Sequence, residues 1–162
     1  MQTLKHRINR ALAYPEINEL ELCVLKTLAE LLQKKKIQLP YLGKLIDKNL
    51  DPLLMTVLAF SEAAGFWLSL HKPGREPIEI HNDSFSVRSA VRKLTEHLAV
   101  ENPCRMLAVL ASIGITRNMV HAPFSSRGSL PHLFVILALA HYLGYAVSWK
   151  SADREKKIRE KK

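Results

Sequence analysis

The chain has 162 residues, of which 48% are hydrophobic, so it can bury a core and is not an intrinsically disordered polymer. Its formal net charge is +9, carried mainly by the ends: residues 1–14 contribute +3 and residues 150–162 contribute +4, which leaves +2 for residues 15–149. Basic terminal segments are typical of proteins that contact nucleic acid or acidic partners, and they also serve as plain solubilising tails. The composition leaves both interpretations open.

The first part of the chain predicts helices in succession. A basic helix over residues 4–12 precedes a long helix over 16–36 and a short one over 41–50. Residues 52–64, PLLMTVLAFSEAA, are apolar almost all round, which is typical of a central, buried helix. Pro52 suits the first helical turn because its missing N–H has no partner there in any case.

A helix-to-strand junction follows. Gly65 stands where a helix end needs a left-handed residue, and the alternation in FWLSLHK predicts a strand over residues 66–72. The PGR sequence at 73–75 then predicts a turn and a return strand over 77–81.

The second half predicts a similar series with one additional helix. Residues 83–86 cap the opening of its first helix. Asn102, Pro103 and Gly114 bound the additional helix. A short helix over 115–124, an apolar helix over 131–143 and a strand over 145–150 complete the series.

The two halves resemble each other in sequence. Residues 52–71 and 131–150 align at a constant offset of 79, and they keep the proline, the glycine and the change from helical to alternating periodicity. Six positions are identical: Pro52/Pro131, Leu54/Leu133, Leu58/Leu137, Ala59/Ala138, Gly65/Gly144 and Ser69/Ser148.

Each predicted unit has two helices, a third apolar helix and then a strand or hairpin, an order similar to that of a winged helix-turn-helix. We therefore expect a mainly α chain with small β-hairpin elements (α+β), internally duplicated and winged-helix-like. The units are predicted at residues 1–82 and 83–150, followed by a basic tail at 151–162. They form either one pseudo-symmetric domain or two tandem small domains.

The predicted third helices carry no Arg, Lys, Asn or Gln, so they are not expected to read bases in a major groove. Instead, the serine-rich loop before residue 131 places Arg127 and free N–H groups at a helix N-terminus, which favours phosphate binding; an ordinary solvent loop with a serine cap is the alternative. The residues predicted to contact the nucleic-acid backbone are Arg117, Asn118, Ser125, Ser126, Arg127, Ser129, Lys150, Arg154, Lys156 and Lys157.

No catalytic, cofactor or metal motif is found in the sequence, so we expect a non-enzyme without a cofactor or metal. His71 and His81 can face each other across the hairpin, but two ligands make no zinc site. His141 lies in an apolar helix, which favours a hydrogen-bonded core histidine over a catalytic base. Cys23 and Cys104 also lie in apolar helical patterns, so we expect buried, reduced thiols.

Residues 130–149 carry no formal charge over about the length of a membrane span. Pro131, His132, His141 and Gly144 interrupt this segment, so we expect a buried helix and a strand, and no membrane partner. The opening MQTLKHRINR has no apolar signal core, which favours a cytoplasmic protein.

The sequence thus predicts a non-catalytic module that binds DNA or RNA largely without sequence preference, as a small subunit or accessory factor of a nucleoprotein assembly. The alternative is a protein-interaction adaptor or homo-oligomer that does not bind nucleic acid. The oligomeric state is left open.

Overall fold

In a computed structural model of the chain, residues 15–37, 42–43, 53–101, 108 and 131–152 are described. Helices and a small antiparallel sheet form a mixed α+β structure, which confirms the predicted coarse class and excludes an all-α one. In chain order the elements are α1 (Pro15–Lys34), α2 (Leu54–Ala63), β1 (Phe66–His71), β2 (Ile78–Ile80), α3 (Ser84–Glu101), α4 (Leu133–Leu143) and β3 (Ala146–Ser151).

The sheet has the strand order β2-β1-β3, and both neighbours of β1 run antiparallel to it. The predicted hairpin of β1 and β2 is confirmed, and in its observed register Ser69 pairs with Glu79 at the centre. On the other side of β1, Ser69 pairs with Ser148 of β3. A single sheet therefore contains strands from both halves of the chain.

Helix α4 is the most deeply buried helix of the described chain. Residues 133–140 are all buried, and so is Leu143. Helices α1 and α3 and strand β3 all pack against α4. The expectation of a central helix buried almost all round is therefore confirmed for α4, whose apolar residues occupy every side of the helix.

Helix α2 does not behave in the same way. Leu54, Val57 and Leu58 are buried, whereas Ala59 and Ala63 are exposed. The prediction of burial all round is wrong for α2, because β1 and α1 pack against this helix and leave its other side in solvent.

The starts of α2 and α4 differ from the prediction as well. Their N-cap residues are Leu53 and His132, and neither makes a side-chain capping bond. Pro131 thus precedes the N-cap and is not in the first helical turn. Its carbonyl accepts a hydrogen bond of 3.1 Å from the backbone N–H of Leu54, and Leu53 forms an isolated β-bridge with His132. The backbone N–H of Leu54, which has no acceptor within α2, thus finds one in the segment that precedes α4, so a side-chain cap is not required for this group.

Two of the predicted glycine stops are confirmed, whereas the third, Gly114, lies outside the described residues. Gly65 and Gly144 have φ angles of +80° and +83°, in the left-handed region. At the end of α4 the backbone N–H of Tyr145 donates to the carbonyl of Ala140 over 2.9 Å, and that of Gly144 donates to His141 over 3.2 Å. This pattern satisfies the last carbonyls of the helix.

The predicted cap of α3 is confirmed too. The backbone N–H of Ser86 donates to Oδ1 of Asp83 over 2.6 Å. The hydroxyl of Ser86 accepts from the backbone N–H of His81 over 2.8 Å and donates to the carbonyl of Glu79 over 3.3 Å. The cap therefore also ties the end of β2 to the start of α3.

No helix in the described part of the chain is long and apolar enough to cross a membrane. The apolar segment considered above divides into the 11-residue helix α4 and the strand β3.

Candidate nucleic-acid interface

The sheet has one buried face and one polar face. Leu68, Leu70, Ile78, Ile80 and Trp149 point into the core and are buried. Because side chains alternate along a strand, the residues between them point to the opposite side. We call this opposite side the outer sheet face; its members are Trp67, Ser69, His71, Glu79, His81, Ser148 and Lys150.

Lys150 and Glu79 flank Trp67 on the outer sheet face. Lys150 pairs with Trp67 in the β1–β3 register. The indole N–H of Trp67 donates to Oε2 of Glu79 over 2.6 Å, and Nζ of Lys150 lies 3.5 Å from Oε1 of the same carboxylate. Glu79 therefore orients the tryptophan ring and forms an ion pair with Lys150. Both charged side chains remain about one-third exposed, at 33% for Glu79 and 35% for Lys150.

His81 extends the aromatic surface. Its ring centroid lies 5.1 Å from that of Trp67, with 33° between the planes. His71 and His81 therefore do not face each other, although the sequence allowed it: the register opposes Leu70 to Ile78, which places His81 beside Trp67 and away from His71. His81 is exposed and Trp67 is half-buried, so a tilted aromatic pair borders solvent on this face.

Ser69 lies in the next row of the outer sheet face, between Glu79 and Ser148. Its side-chain oxygen is buried and has no hydrogen-bond partner among the described residues, whereas Ser148 is exposed. A buried hydroxyl without a partner is uncommon, because desolvating it is costly.

Of the residues predicted to contact nucleic acid, the structure describes one, Lys150, and places it on the outer sheet face. The other predicted contacts lie outside the described residues, as does Cys104; they are Arg117, Asn118, Ser125, Ser126, Arg127, Ser129, Arg154, Lys156 and Lys157. Their predicted roles stay predictions.

Neither the aromatic pair nor a cleft of mixed charge was predicted from the sequence. Two basic residues, Arg75 and Lys93, and two acidic ones, Glu76 and Glu96, line this cleft of about 360 Å³. The buried His97 and Tyr145 also line it, with Nδ1 of His97 3.2 Å from the tyrosine hydroxyl. The signal for Trp67 was its position: in an alternating strand it falls on the same side as His71 and Ser69, opposite the aliphatic residues.

Two further expectations are corrected. His141 is exposed and not a core residue; its Nε2 lies 3.2 Å from Oε2 of Glu16, because the end of α4 borders the start of α1 at the surface. Cys23 is an exposed free cysteine, since it lies on the side of α1 that faces away from the core.

Within the ranges that the structure describes, no group of three or more His, Cys, Asp or Glu side chains is arranged to hold a metal ion. Comparisons with protein-family models, with curated proteins and with solved structures give no match. Function is therefore inferred from the residues of this chain alone.

Proposed function

We propose that this chain is a non-catalytic nucleic-acid-binding module that contacts the phosphate backbone, as a small subunit or accessory factor of a cytoplasmic nucleoprotein assembly. The observation that carries the proposal is the position of Lys150 on the outer sheet face, beside the half-buried Trp67 and the exposed His81 and at the start of the basic segment 150–162. Lysine and arginine side chains supply most of the affinity of proteins that bind nucleic acid without sequence preference.

The ion pair with Glu79 does not remove Lys150 from this role. Both groups are partly exposed, and surface ion pairs of this kind contribute little to stability. A phosphate can therefore compete for the ammonium group. The basic residues that follow, Arg154, Lys156 and Lys157, supply further contacts in the proposal.

The proposal includes a duplicated, winged-helix-like domain with units at residues 1–82 and 83–150 and a tail at 151–162. Equivalent positions of the two units pair with each other at Ser69↔Ser148 and at Leu53↔His132, as an approximate two-fold axis requires. The two glycine stops also share one conformation. These features support one pseudo-symmetric domain over two separate ones. Since the exposed side of α2 offers Ala59, Glu62 and Ala63, contact through the sheet fits better than major-groove reading by this helix.

Salt dependence tests the proposal. The apparent affinity of the full-length protein for labelled DNA and RNA is measured by fluorescence anisotropy at about 50 and about 200 mM salt. Four phosphate contacts, from Lys150 and the three basic residues of the tail, give a slope of log K against log salt of about −2.8 for single strands and about −3.6 for duplexes. The expected loss of affinity over this range is therefore about 50-fold for single strands and about 150-fold for duplexes.

Charge reversal at one position separates specific contact from overall charge. Lys150→Glu is expected to weaken binding at least about tenfold, because it removes one contact and adds repulsion. Lys26→Glu changes the net charge equally but lies on α1, which packs against the opposite side of the sheet. Equal losses for the two variants would leave only an unspecific charge effect, and no binding at about 50 mM salt with about 10 μM protein would overturn the proposal.

A second candidate function is protein interaction without nucleic acid. An apolar groove of about 280 Å³ lies between α1 and β3, and its lining includes Leu20, Leu31, Phe66 and Val147. Phe85 at the start of α3 is 81% exposed. Exposed apolar surface of this kind is typical of docking sites. Sedimentation analysis discriminates the two functions: a stable oligomer whose formation is insensitive to salt, in a protein that binds no nucleic acid, favours the adaptor.

A further inference from the structure

We infer that the outer sheet face binds single-stranded nucleic acid, with a base stacked on the Trp67–His81 pair and its phosphate at Lys150. The inference rests on the proposed function and adds the strandedness of the ligand and the way in which a base is held.

The Trp67–His81 pair offers an oriented aromatic surface on which a base can stack. Trp67 lies on the polar side of the sheet, where a tryptophan gains little from core packing. Its indole is oriented by the 2.6 Å hydrogen bond to Glu79, and His81 lies against it at 5.1 Å. A ring that is already oriented loses little conformational freedom when a ligand stacks on it. Proteins that bind single strands use aromatic side chains in this way, because every base has a π face.

The groups around the Trp67–His81 pair favour a single strand over a duplex. Lys150 neighbours Trp67 in the sheet register, so a phosphate attached to the stacked nucleotide falls near an ammonium group. The base faces of a duplex are covered by neighbouring bases, and exposing one requires unstacking, so an aromatic surface favours a single strand.

The test uses the full-length protein and three labelled ligands of equal length: a single-stranded oligothymidine, its duplex, and a single strand of abasic sites. The abasic strand keeps the phosphates and lacks the bases. We expect it to bind about tenfold more weakly than the oligothymidine, because one stacked base contributes a factor of that order. We also expect the duplex to bind more weakly than the oligothymidine.

Tryptophan fluorescence provides a second measurement. The chain has two tryptophans, and Trp149 is buried with its indole N–H bonded to the carbonyl of Val24. Any quenching of tryptophan fluorescence by the oligothymidine is therefore expected to come from Trp67 and to disappear in the Trp67→Val variant. This variant is also expected to bind the oligothymidine about tenfold more weakly than the wild type. Trp67→Phe keeps a ring and is expected to bind within about threefold of the wild type. Circular dichroism establishes that both variants are folded.

The outcomes separate this inference from the proposed function. Equal binding of the abasic strand and the oligothymidine, or a preference for the duplex, overturns stacking while backbone binding stands. Quenching that persists in Trp67→Phe, or an unchanged affinity of folded Trp67→Val, also overturns it. Failure of all three ligands to bind at about 50 mM salt overturns the proposed function itself. The wild-type comparison of ligands decides the question even if a variant does not fold.

Discussion

The substitution Gly144→Ala tests whether the junction between α4 and β3 requires a left-handed backbone conformation at residue 144, or only the absence of a side chain there. The residue has φ +83°, and a Cβ built there would approach Cε of Lys72 to 3.8 Å, an ordinary van der Waals contact. No steric clash is therefore added. An L-residue in the left-handed region costs about 1–2 kcal/mol, and the reduced entropy of the unfolded chain returns about 0.4–1 kcal/mol. The net loss expected for Gly144→Ala is about 1 kcal/mol.

Gly65→Ala should cost a similar amount, because its φ is +80° and nothing lies within 4 Å of the added Cβ. Gly43 is the matched control: it is helical, its φ lies outside the left-handed region and its surroundings are equally open. Gly43→Ala should therefore stabilise the protein by about 0.5–1 kcal/mol. Asparagine at position 144 should cost less than alanine there, since it tolerates left-handed backbone.

The assay is urea unfolding followed by circular dichroism. A loss of 1 kcal/mol lowers the midpoint by about 0.5 M at a slope of about 2 kcal/mol/M, and it lowers Tm by about 3 °C. The slope should not change, because the substitutions do not alter the surface exposed on unfolding. Stabilisation by alanine at all three glycines would refute the reasoning, since it would mean that helix propensity and not backbone conformation governs these joints.

Two further predictions concern α3 and α1. Asp83→Ala removes the 2.6 Å hydrogen bond to the backbone N–H of Ser86 and should lower the free energy of unfolding by about 1 kcal/mol, measured by urea unfolding. Asp83→Ser can still cap the helix and should recover most of this loss. An unchanged stability of the alanine variant would contradict the capping role. Because Cys23 is exposed, its thiol should react with Ellman's reagent in the native protein within minutes. The Cys23→Ser variant should therefore release one equivalent less of the coloured product than the wild type. Equal release by the two proteins would place this thiol in the core.

Several elements were predictable because their signals are local. The end of α4 at Gly144, the hairpin after Gly65 and the cap at Asp83 each depend on residues within about five positions of the chain. Glycine at a left-handed position and a carboxylate before a helix act through bonds to their own neighbours. The predicted helix and strand bounds in these regions are accordingly close to those observed.

Exposure was predicted less well. Cys23 and His141 both lie in apolar helical sequences, yet both are exposed. An apolar pattern defines which residues can be buried, whereas the neighbouring elements decide which of them are. Helix α2 illustrates this point, because its composition resembles that of α4 and only one of its sides is covered.

Within the described residues, the sequence by itself determined the kinds of elements and their stops, and it showed the similarity of two segments 79 residues apart. Only the tertiary structure decided that β3 pairs with β1, that Ser69 and Ser148 become neighbours, and that Trp67, His81, Glu79 and Lys150 meet on one face. The physical reason is the range of the forces involved. Capping and periodicity act over a few residues, whereas strand register over long separations is selected by how many apolar side chains the assembled sheet and helices can bury together.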